Sequence, residues 1–81
     1  MNSEDPIGII ELGNINIKCL ISKIDDNNTE ILSTSITPSE GIHHDVVVNL
    51  AKASNAIRSC ISNAEKKAKT LLKKINVVVE Q

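Results

Sequence analysis

The residues of this chain whose types and spacing could do chemistry are Glu11 and Gly13, an acid-x-Gly pair inside Ile7 to Ile21, IGIIELGNINIKCLI. Such a turn can mark a phosphate-binding corner. By itself it is a weak signal, and an ordinary hairpin turn is the commoner meaning. His43 and His44 are a conceivable metal pair, but adjacent residues of an extended chain point opposite ways. No cysteine or carboxylate cluster joins them, so they read as solvated loop histidines. Asp25-Asp26-Asn27-Asn28 lacks the later glycine and glutamate of a calcium loop and reads as a turn. Cys19 and Cys60 stand apart with no CxxC spacing, which argues against zinc and gives no disulfide framework. They fall in with the apolar set and are expected to be buried, inert thiols. No nucleophile–base pair and no paired carboxylates can be named, so no catalytic residue and no metal site is assigned.

Composition narrows the classes further. Eighty-one residues make one domain at most, and a chain of this size buries only about 60–65% of its unfolded surface. With no Phe, Tyr or Trp, the core must come from Ile, Leu, Val and Ala. The formal net charge is −1, which does not suit a polyanion binder. Lys66, Lys67, Lys69, Lys73 and Lys74 cluster late in the chain. Without aromatics or a second basic element they read as a solvated helix end, so no nucleic-acid partner is expected. Cysteine usage fits a reducing cytoplasm. No stretch approaches the ~20 apolar residues of a membrane span, and the acidic start MNSEDP lacks a signal core.

The elements that must position Glu11 and Gly13 follow from periodicity. Residues 1–6 form a polar lead-in. Ile7, Ile9, Ile10 and Leu12 make a nearly continuous apolar run, which predicts a strand buried on both faces. Gly8 inside it implies close approach by a neighbouring element. Gly13-Asn14 signals a turn. Ile15, Ile17, Cys19 and Ile21 then alternate with polar positions, a strand with one buried face. The predicted meander is 7–12, 15–24 and 29–36. Pro38 to Gly41 leads the chain off the sheet, and residues 45–48 approach a helix in extended form. Asn49 is the expected N-cap. Leu50, Ala53, Ile57, Cys60, Ile61, Ala64, Ala68 and Leu71 or Leu72 form one apolar stripe on a helix of about 20 residues. Its many alanines would let it lie close on a sheet. Glu65 and Lys69, four apart, are expected to pair weakly, and Lys73-Lys74 to close the helix or begin the turn after it. Ile75 to Val79 is a β-branched strand.

A strand–helix–strand crossover is right-handed and places the last strand parallel to the first. The fold class is therefore α/β: a mixed sheet of order 3-2-1-4 with one helix on one face, the other face bare. One bare face, one bare edge and an end directly after a strand are the marks expected of a partial domain, residues 1–81 being a fragment that folds poorly alone.

The ordered set of buried strand, acid-x-Gly turn, two antiparallel strands, helix and parallel strand resembles the opening of the actin-like (ribonuclease H-like) ATPase domain. The local text narrows the resemblance. IGIIELGNINIKCLI is similar to the first phosphate loop of the bacterial cell-division FtsA family. SEGIHHDVVVNL resembles that family's connection into the first helix, AIRSCISNAEKKA its helix, and INVVVE the strand after it. The likeness runs from Ile7 to Glu80 and covers the first third or so of a complete member.

The resemblance implies that the turn wraps the phosphates of ATP. Gly13 would let backbone N–H groups approach the oxygens, and Asn14, Ile15 and Asn16 would supply the rest of the loop. Glu11, where the family normally has Asp, would help hold Mg2+ through water. Lys18 would match a lysine near the phosphates in some actin-like proteins. Asn14 and Ile15 replace hydroxyl residues common after the glycine, and Asp45 and Asn49 stand where a Gly and an Asp are usual. The second phosphate loop and the adenine pocket fall outside these residues, so this chain alone is not expected to hydrolyse ATP. Implied partners are FtsZ filaments, other divisome proteins and further copies of the protein. The location implied is cytoplasmic, peripheral to the inner membrane, with membrane contact through regions outside this chain. The alternative is a stand-alone interaction module, or a pilus-assembly type of actin-like protein, without nucleotide chemistry.

Overall fold

The structure, a computed structural model, describes residues 5–25, 28–43, 46–47 and 49–79. Most of the polar lead-in, Asp26 and Asn27 of the turn cluster, and His44, Asp45 and Val48 of the approach to the helix lie outside the described residues, as do Glu80 and Gln81.

Strands β1 (Ile7–Leu12), β2 (Asn16–Asp25) and β3 (Asn28–Pro38) form the meander, followed by the short β4 (Ile42–His43) and β5 (Val46–Val47). Helix α1 (Leu50–Ala68) and strand β6 (Ile75–Val79) complete the chain. The main sheet has the order β3-β2-β1-β6, as expected, and β4 pairs with β5 in a separate ladder. β1 runs antiparallel to β2 and parallel to β6. β3 continues two residues beyond the predicted end, to Pro38 opposite Asn16. Proline is tolerated there because β3 is an edge strand.

Helix α1 lies over β2 and β3. Ala53, Ala56, Cys60 and Ala64 meet Ile10, Ile17, Cys19 and Ile21, and all eight are buried. The small helix residues bring the two layers close enough for hydrogen bonds between them. Ser33 Oγ donates to the Ala64 carbonyl at 2.7 Å and Ser35 Oγ to the Cys60 carbonyl at 2.6 Å. Between Ile21 and Ser22 the register against β3 shifts by one. Leu32 is the extra residue, and it packs on the core while Ile31 stays exposed.

Asn49 caps the helix: its backbone is extended, and its Oδ1 accepts the Lys52 N–H at 3.0 Å. Gly41 makes the approach possible. Its φ is +73°, and a Cβ there would strike the Asn49 carbonyl and sit 2.8 Å from the Ala53 nitrogen.

The far end of the helix differs from the prediction. The helix stops at Ala68, and Lys69 turns left-handed (φ 56°, ψ 41°) with its N–H toward the Glu65 and Lys66 carbonyls. Leu71 is therefore outside the helix and exposed; Leu50, the first residue of the helix, is exposed as well. Lys66 and Lys67 occupy the last turn, and Lys73 and Lys74 lie in the connection to β6, the second of the two places expected for them. Glu65 does not serve the exposed face: its Oε2 accepts the Leu72 N–H at 2.8 Å and fixes the connection to β6. Leu72 then covers Gly8, where a Cβ would lie 2.5 Å from its Cδ1. This is the close approach that Gly8 predicts.

β1 is buried on the helix side only. Ile10 is 1% exposed and Ile9, pointing the other way, 38%. The apolar run of β1 reads as two-sided burial, yet among the described residues nothing covers the second face. No described helix is long and apolar enough to cross a membrane.

Candidate functional site

The turn between β1 and β2 is built by backbone bonds that leave two residues at its tip. Gly13 N–H donates to the Asn16 carbonyl at 3.1 Å, and Asn14 and Ile15 form the exposed corner between them. Neither Gly13 nor the two corner residues has a positive φ. The glycine is thus not required by backbone conformation, and its position is buried.

A residue that the sequence reading passed over holds this turn from the side. Ser39 Oγ donates to the Gly13 carbonyl at 2.5 Å, and the Ser39 N–H donates to the Ile15 carbonyl at 2.9 Å. Pro38 to Gly41 reads as simple punctuation in the sequence. The placement of Ser39 depends on the β2–β3 ladder running on to the Asn16–Pro38 pair, which no local signal announces.

Glu11 and Lys18 are directly opposed across β1 and β2, on the face away from the helix. Lys18 Nζ lies 3.8 Å from Glu11 Oε1, with the side chains 55% and 41% exposed. A pair this open contributes about 0–1 kcal/mol to stability. Both groups are open to solvent. They line one end of an open trough of ≈ 450 Å³ whose other walls include Ile9, Leu20, Thr34 and Ile36. Of the six sequence-derived site residues, Glu11 and Lys18 share this trough. Gly13, Asn14, Ile15 and Asn16 form the turn beyond it.

The cysteines are buried in the layer between sheet and helix. Cys60 Sγ sits 3.2 Å from Ser35 Oγ and 3.4 Å from the Ile17 carbonyl. Burial pushes the Cys19 thiol up to about 11, with Cys60 and then Glu65 adding to the effect. Both thiols are away from solvent. Among the described residues, no group of three or more His, Cys, Asp or Glu could hold a metal ion. His43 lies in β4, and its neighbour His44 is outside the described residues.

A mixed four-stranded sheet in the order β3-β2-β1-β6, with a helix crossing between the meander and a parallel last strand, is an actin-like α/β fold. Two solved structures share it. The diol dehydratase-reactivating factor in its nucleotide-free form superposes with a TM-score of 0.69 over 90% of this chain and 12% of its own, at 12% identity. The Ppx/GppA phosphatase of Aquifex aeolicus gives 0.57 over 93% and 26%, also at 12% identity.

Sequence similarity points to cell-division proteins. The chain is 29% identical over 68 residues to the cell division protein FtsA of Streptococcus pneumoniae serotype 2, and 26% identical over 68 residues to that of Enterococcus hirae. Each alignment covers 84% of this chain and 15% of the relative. The chain thus spans a small part of the length of the curated proteins it matches. No protein-family model matches it.

Proposed function

We propose that this chain is the opening segment of an FtsA-like cell-division protein, and that the β1–β2 turn is its contribution to an ATP site. The observation that carries this reading is the similarity to two FtsA proteins over 84% of the chain. The actin-like sheet order supports it. In this reading the parent protein links FtsZ filaments to the cytoplasmic membrane, associates with itself and meets other divisome proteins. It is peripheral to the cytoplasmic face, and its membrane contact lies in regions outside this chain.

The donor set fits magnesium-bound ATP. Magnesium is commonly held by one or two carboxylates together with substrate phosphates rather than by an all-protein cage. Glu11 is a single accessible carboxylate beside the turn, and Lys18 places a cation on the same face. Glu11 would hold the ion through water, Lys18 would offset phosphate charge, and Gly13 would keep the corner clear of a side chain. The bound nucleotide supplies the phosphate charge; no hydrolytic step is assigned to these residues.

The turn also favours a second reading. The Gly13 N–H and the Gly13 and Ile15 carbonyls are all engaged within the chain, as in a structural corner of an interaction module without nucleotide chemistry. One experiment separates the two: binding of a fluorescent ATP analogue with Mg2+ to the protein and to its Glu11→Ala and Gly13→Val variants, alongside co-sedimentation with FtsZ filaments. Saturable binding that weakens at least about tenfold in both variants, with co-sedimentation, supports the FtsA-like reading. Binding indifferent to both substitutions, or absent, together with no co-sedimentation, overturns it.

A further inference from the structure

The β1–β2 corner is held through its carbonyl oxygens. Those of Gly13, Ile15 and Asn16 all accept bonds within the chain, and two of the three donors belong to Ser39. Its Oγ donates to the Gly13 carbonyl at 2.5 Å and its N–H to the Ile15 carbonyl at 2.9 Å. Among the described residues no peptide bond is cis. In a trans peptide the C=O and the N–H of the next residue point opposite ways. Drawing the Gly13 and Ile15 carbonyls toward Ser39 therefore turns the N–H groups of Asn14 and Asn16 away from it. An anion on that side of the corner meets the positive ends of two peptide dipoles instead of the negative ones.

Ser39 is itself fixed from both sides. Pro38, just before it, closes the β2–β3 ladder opposite Asn16. Two residues after it, the Gly41 carbonyl accepts the Asn49 N–H at 3.1 Å, at the cap of α1. Ser39 is half-buried and stands behind the turn, tied to the sheet on one side and to the helix start on the other. Backbone groups held in place before a ligand arrives need no ordering when it binds, so a phosphate-binding corner gains affinity from such a support.

We infer that Ser39 is a positioning residue for the phosphates of ATP, given the ATP reading of the turn on which this rests. Its hydroxyl holds the Gly13 carbonyl back, and with it the direction of the Asn14 N–H, without touching the nucleotide. Glu11, Gly13 and Lys18 all stand on the β1–β2 hairpin; Ser39 joins them from beyond the end of β3. Without the hydroxyl the Gly13 carbonyl is no longer drawn away from the corner, and its negative end can turn toward the phosphates and oppose them.

The test is titration of a fluorescent ATP analogue with Mg2+ against the protein and its Ser39→Ala, Ser39→Thr and Ser33→Ala variants. Circular dichroism and hydrogen exchange of the Gly13 amide are followed on the same samples without ligand. Ser39→Ala should weaken binding by roughly two- to tenfold, from one lost hydrogen bond. The number of sites per folded chain should stay the same, and the Gly13 amide should exchange faster. Ser39→Thr keeps the hydroxyl and should restore both. Ser33→Ala removes the same kind of bond, 2.7 Å long, from the Ala64 carbonyl on α1, and should leave the affinity as it is. No saturable binding by the unsubstituted protein is a failure of the ATP reading and takes this inference with it. Binding by the unsubstituted protein that Ser39→Ala leaves unchanged overturns the inference alone. So does a Ser39→Ala variant that loses folded structure or sites in place of affinity, or an affinity that Ser39→Thr does not recover.

Discussion

Ser35 Oγ lies 2.6 Å from the carbonyl oxygen of Cys60, 25 positions further along the chain, and 3.2 Å from that residue's own sulfur. Two residues before it on β3, Ser33 reaches the Ala64 carbonyl in the same way. Two residues of strand match one turn of helix, so the pair fixes both the height of α1 on the sheet and its rotation.

Removing either hydroxyl tests this attachment. Ser35→Ala and Ser33→Ala should each lower stability by about 0.5–1.5 kcal/mol. Because the two bonds hold one helix, the double variant should depart from the sum of the singles. Urea denaturation of the protein and the three variants reads the coupling; strict additivity would mean that the serines do not act together.

The alanines of α1 are as specific as the serines. Ala64 is fully buried and Ala53 nearly so. Ala64→Leu has no room without lifting the helix, and a cost of about 1–3 kcal/mol is expected from overpacking. The exposed neighbour Asn63 provides the control. Asn63→Leu should leave the urea midpoint nearly unchanged, and equal losses at both sites would contradict the packing described.

Two glycines differ in what they exclude. At Gly41 a methyl group would meet backbone atoms of Asn49 and Ala53, and φ is positive. Gly41→Ala should cost about 2 kcal/mol or more, with no compensating substitution at hand. At Gly8 the obstacle is the tip of the Leu72 side chain. Gly8→Ala should be milder, and Leu72→Ala in the same chain should recover part of the loss. Thermal unfolding of the single and double variants distinguishes the two cases.

The Cys19 thiol sets an alkaline limit. Its value is raised in the folded chain from 9.0 to about 11, so the unfolded state loses this proton first as pH rises. The stabilisation is full below pH 9 and is lost progressively as pH passes through 11, by on the order of 2 kcal/mol. Cys19→Ser should flatten that part of the urea-midpoint profile between pH 8 and 11. A profile unchanged by the substitution would remove Cys19 as the cause.

Glu11 and Lys18 should be dispensable for folding. Their pair is open to solvent, and Glu11→Gln or Lys18→Ala should change stability by no more than about 1 kcal/mol. Any larger loss of ATP-analogue binding in these variants can then be assigned to the site itself. Circular dichroism on the same samples provides the check.

Much of this was legible in the sequence because the signals were local. The β1–β2 corner, the Asn49 cap and the sheet order follow from turn residues and periodicity within short windows. The helix end did not follow. Leu71 and Leu72 keep the apolar spacing going, and Lys69 adopts the left-handed turn without the glycine that usually marks it. The bulge at Leu32 was hidden in the same way, because Ile31-Leu32 is apolar on both sides of the shift. At the candidate site, the spacing of Glu11 and Gly13 signalled the turn only weakly by itself, and the phosphate reading came from the family resemblance. Ser39 was not legible, since its partners on the turn stand more than twenty positions earlier and meet it only through strand pairing.

The parallel pairing of β1 with β6 also sets a timetable. Gly8 pairs with Ile75, 67 positions later, whereas the β1–β2 and β2–β3 ladders join neighbouring segments. Hairpins form in about 1–10 μs. A ribosome adding roughly 5–20 residues per second needs about 3–13 s to span the same 67 positions. Over the last 37 of those positions, from Pro38 to Ile75, the nascent meander stands complete but for one neighbour, with the β1 edge open and, for most of that time, Leu72 not yet made to cover Gly8. The vulnerable moment in the life of this chain is its synthesis, and a chaperone that holds extended apolar segments would meet it there.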